Sequence, residues 1–187
     1  MHTQHPATPA EATGHGTAAA CEAPLFYPRL LALLEPCQAS PRLALRRQVR
    51  RLLRAQGPRE QALRCLAIEG VDIVTAALLA GAYGQGEFKS AGAYIAFVNS
   101  GRASPLREAP LHGQTHHLLL TAARTARRSV AWRERYQLCR RHGRTETQAL
   151  KGLARHLARL AFSLMETRGD YLPGGRISRS RHPAPAN

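Results

Sequence analysis

The chain has 187 residues, enough for one domain of ordinary size with tails. Its 27 lysines and arginines against 12 aspartates and glutamates give a formal charge of +15 with histidine neutral, which opposes self-association and favours a polyanionic partner while saying little about fold. No apolar run approaches the roughly 20 residues that span a bilayer. The four cysteines, Cys21, Cys37, Cys65 and Cys139, show neither CxxC nor zinc-like spacing, and the N-terminus has no signal-peptide pattern, so a reduced cytoplasmic setting is expected and no membrane partner.

In chain order, residues 1–24 are rich in Ala, Thr, Pro and His with scarcely any large apolar side chain. Such a segment cannot offset the entropy of ordering and is expected to be a disordered leader, its His2, His5 and His15 incidental rather than metal ligands. A short apolar helix is predicted from Leu25 to Leu34, stopped by Pro36. From Arg42 to Ala55 the pattern is sharply amphipathic. At 100° per residue, Arg46, Arg47, Arg50, Arg51 and Arg54 fall within an arc of about 140°, and Leu45, Val49, Leu52 and Leu53 share an opposite arc of about 100°. The apolar arc suits a core; the basic arc suits either plain solvation or an anion such as nucleic acid.

Gly57-Pro58 ends that helix, and another is predicted over Arg59 to Ala67. The turn Glu69-Gly70-Val71-Asp72 leads into the apolar stretch Ile73 to Tyr83, whose many small residues allow close helix packing. Ser90 is placed to N-cap a helix over Ala91 to Val98, and Asn99 to Gly113, with its prolines and glycines, is predicted to be a loop of functional length. Leu118, Leu119, Leu120, Ala122, Ala123 and Ala126 mark a helix that turns basic at Arg124, Arg127 and Arg128. Thr145 with Gln148 forms a capping box for a last helix, Glu146 to Glu166, with Leu150, Leu153, Leu157, Leu160 and Leu164 in its buried stripe and Lys151, Arg155 and Arg159 mostly away from it. After Arg168 a disordered, basic tail is expected, and no alternating strand pattern is evident. The fold expected is all-α, of about six helices between disordered tails. Its parts are the leader at 1–24, N-terminal helices at 25–58, a helical domain at 59–173 and the tail at 174–187.

Four segments, taken together and in order, carry a resemblance. They are AIEGVDIVTAALLAGAYG at Ala67 to Gly84, EFKSAGAYIAFVNS at Glu87 to Ser100, LHGQTHHLLL at Leu111 to Leu120, and ALKGLARHLARLAFSLMETRGDYLP at Ala149 to Pro173. They resemble the C-terminal domain of the bridge-RNA-guided insertion-sequence transposases, the family that includes the Piv-type DNA invertases, over roughly Arg59 to Pro173. The first segment is similar to a helix-hairpin-helix, in which a glycine turn lets backbone N–H groups approach a DNA phosphate. Gly70 keeps the first glycine of that turn; Asp72 replaces the second.

The resemblance implies a serine nucleophile acting on DNA beside a RuvC-like domain whose four carboxylates hold divalent metal. Alignment puts Ser104 at the nucleophile position, with Ser100 the poorer candidate. Pro105 and Leu106 stand where the family has flexible glycines, and the proline removes an N–H donor. His116 and His117 invite a general-base role beside a serine but have no evident orienting group. Only Glu11, Glu22 and Glu35 precede Arg42, too few for a two-metal site, so no cofactor is expected unless a RuvC-like partner supplies bound magnesium.

The function expected on this resemblance is that of a truncated or diverged transposase that retains nucleic-acid binding, through Arg46, Arg47, Arg50, Arg51, Arg54, Gly70, Arg102, Arg107, Arg124, Arg127 and Arg128, and carries out no chemistry alone. The implied partners are DNA, a structured guide RNA, and a second copy of the chain or a RuvC-like chain. Two rivals stand beside it: the C-terminal subunit of an active serine transposase completed in trans, and a basic interaction protein binding an acidic partner or a membrane surface.

Overall fold

In the computed structural model the described residues are 23–34, 42–86, 88–100 and 112–178. Their organisation begins with the helix Ile73–Tyr83. Every residue from Ile73 to Ala82 is buried, and Ala76, Ala77, Ala80, Gly81 and Ala82 leave room for neighbours to approach on all sides. It is the fourth of eight helices: α1 (Ala23–Leu34), α2 (Arg42–Gln56), α3 (Arg59–Leu66), α4 (Ile73–Tyr83), α5 (Ala91–Ser100), α6 (His112–Ala126), α7 (Val130–Arg141) and α8 (Glu146–Thr167). The all-α expectation therefore holds, with eight helices among the described residues rather than about six.

Local chemistry sets the helix ends. Asp72 caps α4, its Oδ1 accepting from the Thr75 amide at 2.9 Å and from the Thr75 hydroxyl at 2.8 Å. Ser90 accepts from the Ala93 amide at 3.2 Å to start α5. Thr145 and Gln148 close the expected capping box, each side chain accepting from the other's backbone amide, at 3.0 and 3.3 Å.

Helix α1 lies against α4 where the latter carries Gly81; a Cβ there would stand 2.9 Å from the Tyr27 ring and 3.1 Å from Phe26. Helix α2 packs on α1 and α4, while α8 packs on α3, α4, α5, α6 and α7. Phe162 of α8 enters an aromatic cluster with Tyr83 and Tyr94, extended by Phe88, Phe97 and Tyr27 at centroid spacings of 5.3–6.3 Å. The Tyr94 hydroxyl, fully enclosed, donates to the Leu79 carbonyl at 2.9 Å, as a buried phenol must. Burial pushes the Cys65 thiol up to about 12, an inert core residue.

Two elements depart from expectation. Helix α7 occupies a stretch in which charge obscures the apolar pattern: only Trp132 is buried, with Ala131, Tyr136 and Cys139 half-buried. After α8, where an irregular tail is expected from Arg168, strands β1 (Asp170–Leu172) and β2 (Arg176–Ser178) form an antiparallel hairpin with Tyr171 opposite Ile177. Strands of three residues are too short to show alternation. Long-range contacts hold this one: Arg64 of α3 donates to the carbonyls of Arg168 and of Gly169, the latter at 3.1 Å, and Gly175 sits against the Trp132 ring. Of the leader expected at 1–24, residues 1–22 lie outside the described residues and Ala23 and Pro24 instead begin α1; the end of the tail at 179–187 also lies outside them. No helix among the described residues is long and apolar enough to cross a membrane.

Candidate nucleic-acid interface

Helix α2 divides as its periodicity predicts. Val49 and Leu53 are buried and Leu45 and Leu52 half-buried against α1 and α4, while Arg46, Arg47, Arg50, Arg51 and Arg54 are all exposed. The helix contains no carboxylate, so its arginines repel one another at i,i+4 spacing, at a cost of roughly 0.2–0.5 kcal/mol per pair. Arg46 to Arg54 spans about 12 Å of helix. Duplex nucleic acid carries one charge per ~1.7 Å of axis, so a backbone laid along this face meets several phosphates at once.

One acidic group borders the face. Asp72 lies 3.5 Å from Arg46, both side chains well exposed. No ion pair among the described residues involves Arg47, Arg50, Arg51 or Arg54. The Arg46–Asp72 contact joins the basic face to the turn between α3 and α4.

Gly70 in that turn has φ +90°, but it is directed inward. A Cβ on it would lie 2.6 Å from the Ala126 nitrogen and 2.7 Å from the Ala122 carbonyl oxygen of α6. The Val71 amide bonds the Ile68 carbonyl at 3.1 Å, and the Thr75 amide bonds Asp72, so one amide of the turn and one in the first turn of α4 are committed within the chain. Asp72, where the family resemblance has a second glycine, adopts ordinary extended backbone at φ −94° and serves as the α4 cap.

The remaining basic residues separate into classes. Arg124 and Arg128 are exposed on α6 and just beyond it. Arg127 is engaged: it meets Glu146 at 2.6 Å and the Tyr136 hydroxyl at 3.2 Å, with its guanidinium 5.3 Å above the Tyr136 ring. That one side chain ties α6, α7 and the start of α8 together. Ser104, Arg102 and Arg107 lie outside the described residues, and Ser100 closes α5.

His116 and His117 fall in the second turn of α6. Burial, and then the charges of Lys151, Arg155 and His117, depress the His116 imidazole below its ordinary value. Its Nδ1 is buried without a partner. His156 of α8 lies 5.5 Å from Trp132 of α7 and is depressed by burial and by Arg135 and Arg159. Among the described residues no group of three or more His, Cys, Asp or Glu could hold a metal ion. The periodicity of α8 separates Lys151, Arg155 and Arg159 from its buried stripe, but only the packing of α6 and α7 shows which charges stand beside them. Comparison with protein-family models, with curated proteins and with solved structures finds no match to this chain.

Proposed function

We propose that this chain is a diverged insertion-sequence transposase domain whose activity is to bind nucleic acid through phosphate contacts, in the service of DNA transposition or recombination. One observation carries the binding proposal: α2 keeps five arginines exposed on one face, with no acid in the helix, while its opposite face is packed on the core. Phosphate contacts of this kind give affinity without reading sequence. The transposase assignment rests on the order of the segments from Ala67 to Pro173.

The test is binding of a labelled duplex over a series of salt concentrations. With about five phosphates neutralised, log K is expected to fall with log salt at a slope near −4.5. The variant Arg46→Glu/Arg50→Glu/Arg54→Glu should weaken binding to all sequences alike and flatten that slope. Unchanged affinity and slope would remove α2 from the interface.

Strand transfer is not part of this proposal, because Pro105 and Leu106 stand beside Ser104 where small, flexible neighbours would be needed to present a nucleophile. With end-labelled DNA and magnesium, a denaturing gel should show no protein-linked band. A band lost in Ser104→Ala and kept in Ser100→Ala would replace the binding-only proposal with the enzymatic one.

A further inference from the structure

We propose that Lys151, Arg155 and Arg159 on α8, flanked by His116 of α6 and by Arg135 of α7, form a second phosphate-contact surface that holds a nucleic-acid backbone separately from α2. This rests on the nucleic-acid proposal above and adds a site to it.

The three cations are exposed and recur every four residues, so they line up along about 12 Å of one helix face. That length corresponds to three or four phosphates of one strand at ~3.4 Å of axis each. Between Glu146 and Glu166 the helix has no carboxylate. Those two are occupied elsewhere: Glu146 with Arg127 at 2.6 Å, and Glu166 accepting from the Tyr83 hydroxyl at 2.7 Å. The row is therefore a line of like charges that repel one another.

Helices α6 and α7 both pack against α8, α7 through Trp132 at 5.5 Å from the His156 ring. Arg135, on the exposed side of α7, adds positive charge beside the row, whereas His116 of α6, its imidazole depressed by burial and by Lys151 and Arg155, contributes a neutral ring. Glu134, the acid of α7, stands about 200° round its helix from the buried Trp132 and so faces away from α8. The exposed strip of α8 carries no bulky apolar residue, which disfavours insertion into a lipid surface.

The site is separate from α2: α4, buried along its length, packs against both helices, and each of the two keeps its basic residues exposed. The chain would then hold two backbone segments at once.

The experiment uses the full chain and three variants: Lys151→Glu/Arg155→Glu/Arg159→Glu, the same positions changed to Gln, and the α2 glutamate triple. Probes are a labelled 20-base-pair duplex, a donor- and acceptor-labelled duplex pair for bridging, and phosphatidylserine-containing vesicles. Circular dichroism checks folding, and if the α8 glutamate variant fails to fold, the glutamine variant provides the readout with the same sign. The expected result is two duplexes bound per chain by the parent and one by either glutamate variant, with the duplex left on the α2 glutamate variant released at a salt slope of about −2.7, three contacts at 0.9 each. Energy transfer between the two duplexes should appear with the parent protein and vanish in either triple variant. A parent that binds duplex while the α8 variants match it in stoichiometry and bridging overturns this site and leaves α2 standing. Bridging that survives in the α2 variant overturns the two-surface arrangement. Vesicle binding that depends on the α8 row, without duplex binding, overturns it in favour of a lipid partner. No duplex binding by the parent overturns the functional proposal itself.

Discussion

Replacing Gly70 by alanine separates a structural glycine from a phosphate-contacting one. The residue has φ +90°, outside the conformations an L side chain tolerates, and leaving glycine there costs about 1–2 kcal/mol. The added Cβ would meet the Ala126 nitrogen at 2.6 Å, the Ala122 oxygen at 2.7 Å and the Ala126 Cβ at 2.7 Å. Two of these are backbone atoms of α6 and cannot rotate aside, so overpacking adds about 1–3 kcal/mol. A total of roughly 2–5 kcal/mol, at about 3 °C per kcal/mol for a domain of this size, lowers Tm by about 6–15 °C. Thermal unfolding followed by circular dichroism measures it. Gly152→Ala is the control: it sits in α8 with nothing within 4 Å of its added Cβ, and should stabilise by up to ~1 kcal/mol through helix propensity. A Gly70→Ala protein that melts with the parent would refute the packing role. If such a variant also lost duplex binding, the glycine would instead be serving the phosphate.

Leu157 is wholly enclosed, so Leu157→Ala should cost about 2–5 kcal/mol in chemical denaturation, and an unchanged midpoint would show that α8 is not part of the core. Asp72→Asn keeps an N-cap side chain for α4 and removes the charge beside Arg46; stability should hold while duplex affinity rises by up to about fivefold, and a fall in affinity would mean that Asp72 positions Arg46 rather than opposing it. His116 and His156 both have folded-state values below the ordinary 6.5, so the unfolded chain takes up their protons first as pH falls. Stability measured in denaturant should therefore be level at higher pH, decline as pH drops through about 6.5, and decline less in His156→Gln; a gain on acidification through that range has the wrong sign.

Much of this arrangement was legible along the chain because it depends on neighbours in sequence. The two arcs of α2, the Ser90 cap and the Thr145–Gln148 box each follow from residues within a turn or two of one another. What was not legible depends on distant residues. Arg127 reads as one more basic residue on α6 until folding brings up Glu146 and Tyr136. Gly70 reads as the tip of a hairpin, and only the placement of α6 shows that its missing side chain makes room for Ala122 and Ala126. Helix α7 hid because one buried tryptophan among many charges makes a faint stripe, and the hairpin hid because Arg64, the side chain gripping it, lies more than 100 residues upstream. For the interface, the α2 arginines were visible as a set, while the company kept by Lys151, Arg155 and Arg159 was not.

The near-total burial of α4 also bears on how such a chain can diverge. A helix of alanines, glycine and a few aliphatics at the centre of the bundle resists change in size, because any added bulk collides with several neighbours together. Yet these are among the commonest residues in proteins, so strict conservation of them would leave only a faint trace in a sequence comparison. The outer helices, whose exposed arginines, glutamines and threonines have no packing to satisfy, can drift quickly in composition. A lineage built this way would keep its architecture in the segment that is least distinctive and lose its recognisable features from the exposed ones.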